Sequence, residues 1–177
     1  MKLRLLPLVA SVIVSATVLF GGWFAYNSLA MENPLSQIVS ESSGIESSSI
    51  KLDSEAATID LELKPDADLR AIVSHIADQG SSILGKRTVQ YNVKSNSSPE
   101  LESWWSKALF DVAQAMETKQ YTDIPKALES YASELPNLKV STEMDDQYVY
   151  VRLTDGEFSK FVMLPRTSSK IGVWPNE

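Results

Sequence analysis

The chain has 177 residues, 44% of them hydrophobic, and a formal net charge of −7, which suits one folded domain with its own apolar core. It contains no cysteine, which excludes disulfides, thiolate metal sites and a cysteine nucleophile. The acidic charge repels phosphate groups, so we do not expect nucleic acid as a partner.

The N-terminus begins with Lys2 and Arg4 and then has no charged residue until Glu32. Residues 5–26 are an uncharged, largely apolar run that would form a helix about 33 Å long, close to the roughly 30 Å of a bilayer core. We therefore predict a cytoplasmic N-terminus at 1–4 and a transmembrane signal-anchor helix at 5–26, by which the protein contacts the membrane. Since the basic residues precede this helix, the rest of the chain would lie outside the cell membrane.

A cleaved signal peptide is the alternative interpretation of the same segment. Ser28, Leu29 and Ala30 have the small-x-small form of a cleavage site, so the protein would be secreted if it is cleaved after Ala30. The apolar run is longer than the roughly 7–15 residues of a typical signal peptide, which favours the anchor. Both interpretations export an acidic domain, because without Lys2 and Arg4 the chain has 14 basic and 23 acidic residues, a net charge of −9.

Residues 27–49 contain many serines but no basic residue, a composition that predicts a flexible stalk. The alternative is that Leu35 to Val39 form an edge strand or pack on the domain. Residues 50–166 are then predicted to form one extracytoplasmic α+β domain, and residues 167–177 a C-terminal tail.

The first half of this domain is predicted to contain a hairpin, a helix and a strand. Apolar and polar residues alternate on both sides of a turn between Ile50 and Leu63, as in a half-buried antiparallel pair. Asp66 or Asp68 can cap the following helix, which Gly80 would end. Renewed alternation at residues 89–93 predicts the next strand.

The second half is predicted to contain two helices and three strands. Ser98 can cap a helix that runs to about Lys119, and a second helix begins at Thr122 or Asp123. Three alternating segments follow, and Asp155-Gly156 between the last two is a strong hairpin signal. These segments cover residues 138–144, 148–154 and 157–164.

The resulting order, β-β-α-β-α-α-β-β-β, predicts an α+β domain built on one mainly antiparallel sheet with the helices on one face. The other face of the sheet would be polar and open to solvent. Its side chains would be those of Asp60, Glu62, Gln90, Lys94, Tyr148, Tyr150 and Arg152.

Few residues in the sequence are candidates for catalysis or for metal or cofactor binding. The single histidine, His75, lies beside the apolar stripe of its helix, as a surface residue would. Glu143, Asp145 and Asp146 cluster at one predicted turn, where acidic residues are common, and their spacing is not that of a calcium loop. The sequence contains no established nucleophile motif or phosphate-binding loop. We therefore predict no enzyme activity, no metal site and no cofactor.

Two adjacent tryptophans, Trp104 and Trp105, lie in the first helix of the second half. On a helical wheel both fall within one arc of about 140°, so both are predicted to be buried. Phe110 lies on the opposite side of this helix. It either packs under the following helix or serves as an aromatic anchor for a partner. The buried arc also contains Leu101, Ala108, Leu109, Val112 and Met116.

Together these features predict a single-pass, membrane-anchored extracytoplasmic interaction module. In its general plan the chain resembles the envelope accessory proteins of bacteria. Its partner would be another envelope protein or a second copy of itself. The candidate contacts are Phe110, Tyr148, Tyr150, Arg152 and Trp174.

Two alternatives remain open for the function. A small-ligand or cell-wall glycan-binding domain would use aromatic rings as a platform, at Tyr148, Tyr150, Trp104 or Trp174. A hydrolase would need two carboxylates that face each other across a cleft, and the sequence singles out no such pair.

Overall fold

The computed structural model describes residues 5–166, except for the side chains of residues 5–8, 24 and 27–29. Within this part of the chain the fold is α+β, with six α-helices and two separate three-stranded sheets. The first sheet consists of β1 (Ile45–Leu52), β2 (Ala56–Leu63) and β3 (Thr88–Lys94). The second sheet consists of β4 (Lys139–Met144), β5 (Tyr148–Asp155) and β6 (Phe158–Pro165).

Two helices precede the first sheet, two connect β2 to β3, and two connect β3 to the second sheet. Two short helical turns accompany them, a π-helical turn at Ser28–Glu32 and a 3-10 turn at Ala132–Glu134. The six α-helices are α1 (Leu5–Asn27), α2 (Asn33–Ser40), α3 (Leu69–Gln79), α4 (Ser81–Leu84), α5 (Pro99–Glu117) and α6 (Asp123–Tyr131).

The prediction of a transmembrane signal-anchor at residues 5–26 is wrong. A helix that crosses a bilayer needs about 20 consecutive apolar residues. Among the residues described, no helix is both long enough and apolar enough to do so, and this includes α1, which occupies the predicted segment. The predicted fold class is corrected to α+β without an N-terminal transmembrane helix. The predicted cytoplasmic N-terminus at 1–4 lies outside the described residues.

Helix α2 lies inside the segment predicted as a stalk. Pro34 is in its first turn, where a missing N–H costs little. Leu35 and Val39, one turn apart on the same face, are both fully buried in the first of two apolar cores. The alternative interpretation of this segment, that Leu35 to Val39 pack on the domain, is therefore what the structure shows.

The first sheet combines an antiparallel and a parallel pair of strands. Strands β1 and β2 form the predicted hairpin, whereas β2 pairs with β3 in parallel. A parallel pair needs a crossover connection, and here α3 and α4 provide it. Alternate residues of β2 are buried in the first core together with the apolar face of α3. The buried residues of β2 are Ala57, Ile59, Leu61 and Leu63.

The opposite face of the first sheet carries polar residues in three rows, and we call it the polar face. It includes the four residues predicted there from the first half of the domain, and its members also bond to one another. Oε2 of Glu62 accepts a hydrogen bond from Ser47, and Oδ1 of Asp60 accepts one from Asn92. By register the rows are Lys51–Thr58–Gln90, Ser49–Asp60–Asn92 and Ser47–Glu62–Lys94.

The second sheet is buried on both faces, so the prediction of one sheet with an open polar face is corrected. Val149, Val151 and Leu153 of β5 lie in the second core, beneath α5 and α6. Tyr150 and Phe161, on the other face, belong to the first core. The two sheets meet where the chain leaves β3. There the backbone N–H of Phe161 in β6 donates to Oγ of Ser95 at 3.0 Å, and the N–H of Ser159 donates to the carbonyl of Asn96 at 2.9 Å.

Helix α5 begins where the sequence predicts it. Ser98 is buried, and its Oγ accepts a hydrogen bond from the N–H of Leu101 at 3.1 Å, which confirms the predicted N-cap. One turn further on, both carboxylate oxygens of Glu102 accept hydrogen bonds from Nζ of Lys160 in β6, at 2.8 and 2.9 Å. This hydrogen bond lowers the pKa of Glu102, and the ion pair fixes the start of α5 on the second sheet.

If α2 is an integral part of the domain, truncating its buried face should destabilise the fold. We expect Leu35→Ala to lower the free energy of unfolding by about 2–5 kcal/mol, because it removes buried methyl groups and leaves a cavity. The exposed neighbour Ser36→Ala is the matched control and should change it by less than about 0.5 kcal/mol. Urea unfolding of the full chain measures both. Equal stabilities of the two variants would contradict the packing of α2.

Candidate functional site

Strand β5 carries three of the five predicted contact residues, and the structure places them at the junction of the two cores. Tyr150 is 4% exposed and belongs to the first core. Tyr148 is partly buried beside it, with the two rings 6.0 Å apart. Arg152 donates from Nη1 to the backbone carbonyls of Asp66 and Ala67, at 2.8 and 2.9 Å. These side chains therefore connect the two halves of the molecule and do not form an open face.

The turn between β4 and β5 is organised by the carboxylate of Asp145. Its Oδ1 accepts hydrogen bonds from the backbone N–H groups of Gln147 and Tyr148, at 2.7 and 2.8 Å. Its Oδ2 accepts one from the Tyr150 hydroxyl at 2.6 Å. The backbone carbonyl of Asp145 accepts a further hydrogen bond from the Arg166 guanidinium. The predicted turn role of this acidic cluster is thus confirmed for Asp145.

Burial and hydrogen bonding shift the pKa values of the titratable groups at and near this turn. Burial acts to raise the pKa of Asp145, but its hydrogen bonds and the nearby charge of Arg70 outweigh burial, and the pKa is lowered. Burial and the hydrogen bond to Asp145 raise the pKa of Tyr150. Burial also raises the pKa of Tyr91 to about 12, with a contribution from Tyr148. Near neutral pH the carboxylate is therefore charged and Tyr91 and Tyr150 are neutral, so neither tyrosine provides a phenolate base.

Two carboxylates, Asp68 and Glu143, line one small cavity. The cavity has a volume of about 20 Å³, enough for a water molecule but not for a sugar. Asp68 caps α3 by accepting a hydrogen bond from the N–H of Ala71 at 2.8 Å, as predicted, and Glu143 lies 3.7 Å from the Arg70 guanidinium. This pair therefore lacks the open cleft that glycoside hydrolysis requires.

His75 lines a separate cleft of about 300 Å³ together with Glu41, Ser42 and Asp68. Its Nε2 is buried and has no hydrogen-bond partner, and the same holds for Oγ of Ser42. No three His, Cys, Asp or Glu side chains in the part of the chain that the structure describes are placed to hold a metal ion together. The cleft therefore offers polar atoms but no metal-binding arrangement.

The adjacent tryptophans are core residues, as predicted. Trp104 is 2% exposed and Trp105 is 7% exposed. Nε1 of Trp104 donates to the backbone carbonyl of Tyr131 at 2.9 Å, and the two rings meet edge to face. Trp104 therefore joins α5 to the end of α6, and neither indole presents a free ring face for stacking.

Phe110 is the most exposed of the predicted contact residues that the structure describes. Its side chain is 79% exposed, so the alternative in which it packs under the following helix is wrong. Helix α6 uses Ile124 and Leu128 to cover the buried side of α5 instead. Leu109, which the helical wheel places in the buried arc, is 40% exposed beside it. Trp174, the remaining candidate, lies outside the described residues.

A groove runs beside these residues, between helix α5 and the end of strand β6, and we call it the α5–β6 groove. Its volume is about 550 Å³. Most of its lining is apolar, and it also includes two basic residues, Lys119 and Arg166, and one carboxylate, Glu117. The apolar lining consists of Leu109, Val112, Ala113, Met116, Leu164 and Pro165. Phe110 is not part of this lining, but it lies three residues from Ala113 and is therefore its neighbour on the surface of α5.

Arg166 is a residue of this region that the sequence analysis missed. Its N–H donates to the carbonyl of Gln147 at 2.8 Å, and its guanidinium lies 4.8 Å from the centre of the Tyr121 ring. An arginine after a strand gives no local signal for such contacts, because its partners lie about 20 and 45 residues earlier in the chain. Together they fix the end of β6 against the β4–β5 turn and the turn that precedes α6.

The role of Asp145 predicts a defined pH dependence of stability. Its folded pKa lies below the ordinary 3.8, so its contribution is complete at higher pH and is lost as the pH falls through the folded value. Asp145→Asn should cost about 1 kcal/mol at neutral pH, less than a fully buried charged hydrogen bond because the site is partly solvated. The difference from the wild type should disappear well below pH 3.8. Urea unfolding across this range measures it.

Asp146→Asn is the matched control for this prediction, because Asp146 is the exposed neighbour in the same turn. We expect the control to differ little from the wild type at any pH. A constant deficit for Asp145→Asn from neutral to acidic pH would show that the charge of Asp145 does not contribute.

No protein-family model matches the chain, and no similar protein was found among curated proteins or solved structures. The observation that bears on function is therefore which surfaces are covered by other parts of the chain and which are exposed to solvent.

Proposed function

We propose that this protein is a non-enzymatic interaction module that uses the outer side of helix α5 to bind another protein or a second copy of itself. The observation that carries the proposal is the exposure of Phe110, at 79%, beside Leu109 at 40%. Aromatic side chains of this kind are the usual anchors of protein interfaces. Export of the domain stays a prediction from the N-terminal sequence.

The surroundings of Phe110 support a contact surface that is already ordered. Lys107, one turn before it, pairs with Glu134 at 2.6 Å. Asp111, the next residue, accepts a hydrogen bond from the Tyr131 hydroxyl at 3.0 Å. Both neighbours are thereby held toward α6 and its end, and neither covers the ring of Phe110. A partner that buries this ring would not first have to displace these side chains, which lowers the cost of binding.

The other predicted contact residues have structural roles that compete with binding. Tyr150 is buried, and Arg152 bonds to two backbone carbonyls of the first half. Releasing either one for a partner would break contacts that hold the two cores together. The outer side of α5 requires no such rearrangement, and for this reason we assign the contact to Phe110.

The glycan-binding alternative now depends on fewer residues. A stacking platform needs a free ring face, and Trp104 and Tyr150 are both buried. The proposal would therefore depend on Tyr148, which is partly buried, and on Trp174, which lies beyond the described residues. The exposed aromatic surface of α5 favours a protein partner over a glycan.

Replacing Phe110 tests the proposed surface. We expect Phe110→Ser to weaken association at least about tenfold, because it removes the aromatic anchor without touching a buried contact. Sedimentation velocity of the full chain measures self-association. Crosslinking in the producing cell, followed by mass spectrometry, measures binding to other proteins.

Phe158→Ser is the matched control for this experiment. Phe158 is 43% exposed and is the first residue of β6, so it belongs to the second sheet and not to α5. The control should associate like the wild type. A wild-type chain that stays monomeric and gives no crosslinked partner would refute the proposed function, and so would equal losses for the two variants.

A further inference from the structure

The α5–β6 groove is open at the point where the described chain ends. Leu164, Pro165 and Arg166 belong to its lining, and Arg166 is the last described residue. The contacts of Arg166 with Gln147 and Tyr121 fix its position. Eleven residues, 167–177, follow, and they start from the wall of the groove itself.

We propose that the C-terminal segment 170–174 docks into the α5–β6 groove of its own chain. The segment reads Lys-Ile-Gly-Val-Trp, so that three of its five residues are large and apolar. The groove offers a matching surface, since Leu109, Ala113 and Met116 lie on successive turns of α5 and face it together. Burying a tryptophan and two aliphatic side chains here removes apolar area of both surfaces from water.

The length of the connecting chain is sufficient for this docking. Trp174 is eight residues beyond Arg166 and can therefore lie up to about 27 Å from it, at roughly 3.4 Å per residue. The apolar part of α5 that lines the groove, from Leu109 to Met116, is only about 10 Å long at 1.5 Å per residue. Ile171 is already within reach after five residues. The tail can thus place its apolar side chains anywhere along the groove.

Connectivity favours the tail over a separate molecule, because residues 167–177 follow directly on Arg166, which is part of the groove lining. A short connection also gives the tail an effective concentration on the order of millimolar at the groove. A separate partner would have to exceed this local concentration before it could displace the tail.

Fluorine NMR of the full chain labelled with 5-fluorotryptophan tests the docking. The chain has four tryptophans, and Trp174→Phe identifies the signal of Trp174 by removing it. We expect this signal to show a smaller shift between H₂O and D₂O than free 5-fluorotryptophan shows, because the docked ring is shielded from solvent. Ala113→Glu places a charged side chain in the groove and should restore the full solvent shift.

Gln114→Glu is the matched control, since it adds the same charge at the next position, which is exposed and outside the groove. It should leave the Trp174 signal unchanged. A full solvent shift in the wild type would overturn the proposal and leave the groove free for a partner. Shielding that survives Ala113→Glu would place the tail elsewhere, and shielding that disappears on dilution would mean that the tail docks on a second copy. Either result would also overturn it.

Discussion

The hydrogen bond between the Tyr150 hydroxyl and the Asp145 carboxylate allows strand β5 to be buried on both faces. A buried hydroxyl without a partner costs about 1–3 kcal/mol, so a tyrosine in this core position needs an acceptor nearby. Asp145 supplies it from the preceding turn, and the same carboxylate accepts the backbone N–H groups of Gln147 and Tyr148. One acidic residue therefore shapes the β4–β5 turn and completes the contact between the two cores.

Burial of the second sheet on both faces determines which surfaces are left for other molecules. Helices α5 and α6 cover one face and the first half of the domain covers the other. Both the polar face of the first sheet and the outer side of α5 stay exposed. On the polar face Asp60 and Glu62 already accept hydrogen bonds from their neighbours. Contact with water does not stabilise the apolar ring of Phe110. The outer side of α5 is therefore the stronger candidate for an interaction surface.

Caps and turns could be predicted because each depends on a few neighbouring residues. Ser98 and Asp68 accept hydrogen bonds from N–H groups three residues later, and Gly156 adopts a positive φ in the β5–β6 turn. The assembly could not be predicted, because the parallel pairing of β2 with β3 and the burial of Tyr150 depend on distant segments. The alternating residues of β5 are typical of a half-buried strand, and no local signal shows that a second layer covers it. The helical wheel places Phe110 opposite the buried arc but does not decide whether the following helix covers it. The exposure of Leu109 could not be predicted either, because the wheel does not show where the cover by α6 ends.

The charges around Phe110 constrain what can bind there. Asp111 follows it directly and Glu117 lies two turns further along α5, in a chain whose net charge is −7. A second copy has the same net charge of −7, so two copies would repel each other over the roughly 8 Å within which charges interact in physiological salt. Added salt would weaken this repulsion and strengthen the apolar contact. A partner with a basic rim would be attracted instead, and salt would weaken its binding. Salt should therefore strengthen self-association and weaken binding to a basic partner. Sedimentation velocity at increasing salt concentration distinguishes the two.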